Sequence, residues 1–244
     1  MANAEETIVK QVRGALEYER RVNLHRYPLR IAVDAGAVVL EGEVESVAAR
    51  KRALRLAAAV DGVRGVVDRL HVAPVQQRAD GEIRDALAAL LLGEPELRDC
   101  AIRVMAKGRA RGLRDVEARS AGRIDFAVQD GVVTFEGTVI SLSHKRLVGV
   151  LAWWTAGCRD VINSLEVVPP EEDNDGEIID ALGLVYEIDP VVRRDQITVT
   201  CQNGVVTLSG AVGTEEERRR AEFDAWALFA VDEVVSAIEV RAAP

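Results

Sequence analysis

The sequence predicts an α+β protein made of three tandem small α-β-β-α-β sandwich domains. Three observations predict it. A glycine–valine pattern recurs as GAVVLEGEV from Gly36, GVVTFEGTV from Gly131 and GVVTLSGAV from Gly204. Apolar alternation with period two runs ahead of each copy, the mark of a half-buried strand. A helical period stands before that strand and another follows the glycine pattern.

The elements follow in order. The first helix of each unit carries Ile8, Val12 and Leu16; then Ile83, Leu87 and Leu90; then Ile178, Leu182 and Val185. Asp80 and Asp175 are expected to cap the second and third of these. The first strand alternates Leu29, Ile31, Val33; Ile124, Phe126, Val128; and Ile197, Val199, Cys201. Asp130-Gly131 and Asn203-Gly204 then predict tight hairpins, because both positions tolerate positive φ; Ala35-Gly36 is the weaker version. The second strand reaches an anchor glycine, Gly42, Gly137 or Gly210, from which the register holds without a gap. Four residues on, Ser46, Ser141 and Thr214 cap the second helix, Thr214 in a capping box with Glu217. Eight residues on stand Arg50, Lys145 and Arg218, and fifteen on Ala57, Ala152 and Ala225, within the stripe expected to face the sheet. The helix stops near Gly62 or Gly157, and a last strand carries Val66, Val161 and Val234.

Domain boundaries fall at 1–74, 79–168 and 174–244, with linkers rich in proline and charge between them. The second domain carries an insertion between about Arg98 and Arg123, with eight bases against three acids. Residues 169–244 hold 6 bases and 17 acids, a net of −11 against −9 for the whole chain, so the acidity sits in the second linker and the third domain.

Hydrophobic residues at 48% and charged residues at 29% exclude a disordered chain, and 4% aromatics imply aliphatic cores. MANAEETIVK shows no basic-then-apolar leader, and the apolar stretch Leu147–Cys158 is 12 residues against the about 20 that cross a bilayer. The expectation is a cytoplasmic protein. Its three cysteines, odd in number and without a CxxC pair, are expected as reduced, buried thiols.

The stretches Ile197–Val212 and Gly157–Val167, the latter with Asn163, resemble the BON domain family. Asp68 and Ser236 replace that asparagine in the first and third copies. The resemblance covers nearly the whole chain. It implies a non-enzymatic module that recognises anionic phospholipid, another envelope component or a protein partner. It also offers an alternative, a cytoplasmic small-ligand sensor that binds potassium through backbone oxygens.

Candidate binding residues follow. Trp153 and Trp226 fall sixteen past their anchors, with Trp154 beside the first, about 100° from the sheet-facing stripe. They suit packing between repeats or protomers, or an interfacial contact with lipid. Lys145 and Arg146, with Lys107, Arg109, Arg111 and Arg114 of the insertion, are the cations expected to meet anionic headgroups. A chaperone-like scaffold using the tryptophan edges is the third alternative, and a homo-oligomer fits it. Nucleic acid is not expected, since the chain is acidic and the basic run lacks interleaved aromatics. The sequence has no P-loop, HExxH, GxGxxG or nucleophile elbow, and an EF-hand reading from Glu171 fails at Leu182. No enzyme activity, cofactor or metal is therefore expected.

Overall fold

The computed structural model describes residues 2–106, 108–116 and 122–241, which divide into two compact units, Met1–Pro74 and Val75–Pro244. The first unit runs α1 (Ala2–Tyr18), β1 (Arg30–Asp34), β2 (Ala37–Val44), α2 (Val47–Ala58) and β3 (Gly65–Val72). β2 is central, antiparallel to β1 and parallel to β3. Both helices lie on one face of this sheet, and the core joins Val12 and Leu16 of α1 to Val38 and Leu40 of β2, Ala53 and Ala57 of α2, and Leu70 of β3.

The second unit contains the same arrangement twice. One copy consists of α3 (Asp80–Gly93), β6 (Gly122–Gln129), β7 (Val132–Val139), α4 (Leu142–Trp154) and β8 (Asp160–Val167). The other consists of α5 (Asp175–Ile188), β9 (Ile197–Gln202), β10 (Val205–Val212), α6 (Glu215–Ala227) and β11 (Glu233–Val240). Between α3 and β6 the insertion forms β4 (Ala101–Ala106) and β5 (Arg109–Arg114). β4 pairs in parallel with β6, so this sheet grows to five strands in the order β5-β4-β6-β7-β8. Ile102 and Val104 of β4 are buried, which is why the insertion docks as a strand pair.

Local chemistry explains the shared plan. Asp130-Gly131 and Asn203-Gly204 take φ of 52° and 75°, and of 51° and 73°, the left-handed pair that a two-residue hairpin needs. Ala35 takes φ 48° in the first unit despite its Cβ. The anchor glycines have a steric reason. Gly137 and Gly210 sit at φ 122° and 134°, and a Cβ there would lie 2.1 Å from the Arg123 carbonyl oxygen and 2.0 Å from that of Gln196. At Gly42 the nearest atoms stand farther off, at 3.0 and 3.2 Å. Ser46, Ser141 and Thr214 accept from the backbone N–H three residues on, and Glu217 accepts in return from Thr214. Ala57, Ala152 and Ala225 are fully buried, so their small side chains let each second helix approach its sheet closely.

Asp80 and Asp175 do not cap their helices. The caps are Ala79 and Asn174, one residue earlier. The two aspartates stand at the first helical position and clasp the hairpin turn. Asp80 accepts from the N–H groups of Asp130 and Gly131 at 3.0 and 2.9 Å, and Asp175 from those of Asn203 and Gly204 at 2.7 and 2.9 Å. Each bond pair fastens a first helix to its β-hairpin.

Candidate functional site

Two features distinguish the second unit: a polar junction between its two repeats and a basic strand pair at one edge. The junction is made by α4 packing on α5 and α6. At the start of α4, the Leu142 N–H donates to Glu171 at 2.7 Å. The Arg146 side chain is wholly buried, its Nη2 2.6 Å from Asp173 and its guanidinium 4.4 Å from the Phe229 ring centre. The acidic linker after β8 thus serves as a strap across α4, and Asn174 ends it as the cap of α5. The Lys145 ammonium also lies over Phe229, at 5.5 Å.

At the other end of α4, Trp154 Nε1–H donates to Asp224 Oδ1 at 2.8 Å. The Arg220 guanidinium stacks on the Trp154 ring at 4.6 Å, bonds Asp189 and stands 3.6 Å from Asp224. Tyr186 donates its hydroxyl to the Ala221 carbonyl at 2.8 Å, fixing α5 to α6. Burial pushes the Asp224 carboxyl up to about 8; Arg220 and the Trp154 N–H oppose this, and Asp189 adds to it.

The sequence-derived candidates therefore separate into two sets. Arg146 and Trp226 are buried, at 1% and 3% exposure, and Trp154 is held by Asp224 and Arg220. Trp153 is half-buried on the last turn of α4, and Lys145 is half-buried on its first. The site-sixteen tryptophans thus divide, since Trp226 lies inside α6's packing and Trp153 reaches solvent in part. Within the insertion, Arg114 is tied down, donating to the Leu97 and Leu92 carbonyls at 2.7 and 2.5 Å at the end of α3. Arg103 is paired bidentately with Asp125 at 2.6 and 2.5 Å. Arg109 and Arg111 are exposed on β5, the outermost strand of the sheet. Lys107 lies outside the described residues.

Sequence reasoning missed the clasp of Asp80 and Asp175 and the buried charges of the junction. It did single out Asn163, whose Nδ2 donates to the Lys145 carbonyl at 2.7 Å and ties β8 to α4. In the first unit Asp68 achieves a similar link by pairing with Arg50 at 2.8 Å.

Burial pushes the Cys158 thiol up to about 12, and burial together with Asp175 pushes Cys201 up to about 11, so neither is a thiolate near neutrality. A depression of about 680 Å³ beside the β9–β10 turn is bordered by Thr200, Cys201, Gln202, Asn203, Val205 and Thr207, with no acid–base pair among them. Among the described residues, no three His, Cys, Asp or Glu side chains stand as a metal-holding group, and no helix is long and apolar enough to cross a membrane.

Comparison with known protein families agrees with this architecture. The pattern of the BON domain family matches residues 4–74, 110–169 and 174–242, so the chain belongs to that family, with three tandem copies. Members of the family are in general non-catalytic modules that bind lipids or proteins. Two solved structures of CdsD, a structural protein of the type III secretion system of Chlamydia trachomatis, are also similar. One is 14% identical, covering 97% of this chain and 93% of that one with a TM-score of 0.24. The other, its C-terminal domain, is 13% identical, covering 96% and 97% with a TM-score of 0.23. No curated protein matches the chain.

Proposed function

We propose that this protein is a binding module for anionic phospholipid surfaces, and that the β4–β5 strand pair is its contact. The carrying observation is the placement of Arg109 and Arg111 on the free edge of a five-stranded sheet, exposed and two residues apart on one strand. Two cations on one side of a strand meet a plane of phosphates together, each contributing about 1 kcal/mol near an anionic membrane. Two other candidate cations have work inside the fold: Arg114 donates to the Leu97 and Leu92 carbonyls, and Arg146 holds the linker.

The test is vesicle flotation of the intact chain with anionic and with zwitterionic lipid, at low and physiological salt. Binding to anionic vesicles alone, weakened by salt, supports the reading. Equal binding to both lipids, or none to either, removes it.

A protein partner is the second reading, favoured by one specific feature. Val67, Ile162 and Val235 occupy the same position in the last strand of each repeat and are 40%, 49% and 47% exposed. They pair across their sheets with Val39, Thr134 and Thr207. The face away from the helices thus repeats one β-branched row three times. Substituting Val67, Ile162 and Val235 together by Thr leaves vesicle binding intact and abolishes protein capture if this row is the contact.

A further inference from the structure

The junction between the second and third repeats has an unbalanced charge. Asp189 and Asp224 both have fully buried side chains, and a single guanidinium, that of Arg220, serves them. Arg220 bonds Asp189 directly and stands 3.6 Å from Asp224. Asp224 Oδ1 receives the Trp154 N–H, while Oδ2 is buried with no hydrogen-bond partner among the described residues. An ionised carboxylate with a bare, desolvated oxygen beside a second carboxylate is costly. A proton on that oxygen removes the excess charge.

We infer that Asp224 is a proton-dependent latch, which when protonated keeps α6 seated against α4 and α5 and when ionised loosens the two repeats of the second unit.

Internal comparison supports a role beyond filling space. The positions equivalent to Asp224, fourteen past the anchor glycines, are Leu56 and Leu151 in the other repeats. An aspartate therefore stands at a place where this fold accepts leucine. The charged and titratable groups that face it are Arg220 on its own helix, Tyr186 from α5 and Asp189 directly after α5; α4 contributes the neutral Trp154 indole. The strands beneath α6 bury only Val206, Leu208, Val212, Val234 and Ile238. Arg220 is thus the one cation among these groups.

The direction of the pH effect follows. A carboxyl whose folded value is raised contributes most below its ordinary value of about 4, and that contribution is lost as pH climbs through the folded value, about 8 for Asp224. Alkalinity, rather than acid, opens the latch.

The experiment is thermal melting of the intact chain from about pH 6 to about pH 9.5, beside Asp224→Asn, which keeps the shape and cannot ionise. The expected result is a melting temperature that falls with pH in the native protein and a flatter profile in the variant. Parallel profiles overturn the inference. Asp189→Asn, which relieves the crowding of carboxylates, should move the fall to lower pH; an unmoved midpoint counts against the latch. If neither variant folds, infrared spectra of the native protein decide. A protonated-carboxyl band present near neutral pH and gone by about pH 9.5 supports the latch, and absence of the band at neutrality overturns it.

Discussion

The first repeat and the last two share a backbone plan and differ in what they place on the second helix. Sixteen and seventeen residues past the anchor, the first unit has Ala58 and Ala59, both exposed. The other repeats have Trp153-Trp154 and Trp226-Ala227 there. The alanine-bearing repeat forms a compact unit by itself, while the tryptophan-bearing repeats are joined in one. A shared core pattern therefore fixes the fold of each repeat, and within the second unit a few large or charged side chains on the second helices join its two repeats. Arg52 and Arg220 show the same contrast. Both stand ten residues past their anchors; Arg52 pairs with Glu19 inside its own repeat, whereas Arg220 stacks on the Trp154 of the neighbouring one.

The largest way to break this comparison is at the anchors. Gly137→Ala and Gly210→Ala force a Cβ onto a carbonyl oxygen and should each cost about 3–5 kcal/mol, seen as loss of the second unit's unfolding transition at ambient temperature. Gly42→Ala meets only 3.0 and 3.2 Å contacts and should cost about 1–2 kcal/mol, leaving the first unit folded. Equal losses at all three sites would refute the steric account.

Next comes Trp154→Ala, which removes the bond to Asp224 and the surface under Arg220. We expect a loss of about 2–3 kcal/mol and a split of the second unit's calorimetric transition in two, with the first unit's transition unmoved.

Asp175→Ala is a smaller change with a pH signature. Bonds from the Gly204 and Asn203 N–H groups, with a lesser one from Cys201, hold the Asp175 carboxyl below its usual range. A lowered carboxylate contributes stability that is present above about pH 4 and lost as pH falls through its folded value. The variant's acid unfolding should accordingly be shallower than that of the native chain, measured by circular dichroism. An unchanged acid limb would show that the clasp adds nothing.

Much of this was legible in the sequence, and the exceptions share a cause. The period-two strands, the Asp130-Gly131 and Asn203-Gly204 turns, the Thr214–Glu217 cap and the buried alanines all report local geometry, which spacing along the chain encodes. The clasp was not legible, because Asp80 lies fifty residues from the turn it holds and reads locally as a helix cap. Arg146 looked like a surface cation because a buried one requires partners, here Asp173 and Phe229, that only the folded chain brings together. For the tryptophans, rotation about the helix placed position sixteen away from the sheet stripe, and which neighbour would cover each was not encoded locally. The strand pair β4–β5 was half legible: Ile102 and Val104 alternate as a strand does, but which sheet they extend depends on β6.

The smallest expected effect on stability belongs to the residues most important for the proposed function. Arg109→Glu with Arg111→Glu should change stability by no more than about 0.5 kcal/mol, because both side chains are exposed at a sheet edge. That separation makes the decisive measurement possible: flotation with anionic vesicles of the Arg109→Glu/Arg111→Glu chain beside a Trp154→Phe chain, both confirmed as folded. The account predicts that the arginine variant stays with the unbound fraction while the Trp154 variant floats like the native protein. Flotation of the arginine variant, with loss in the Trp154 variant, would contradict it and place membrane contact at the junction instead.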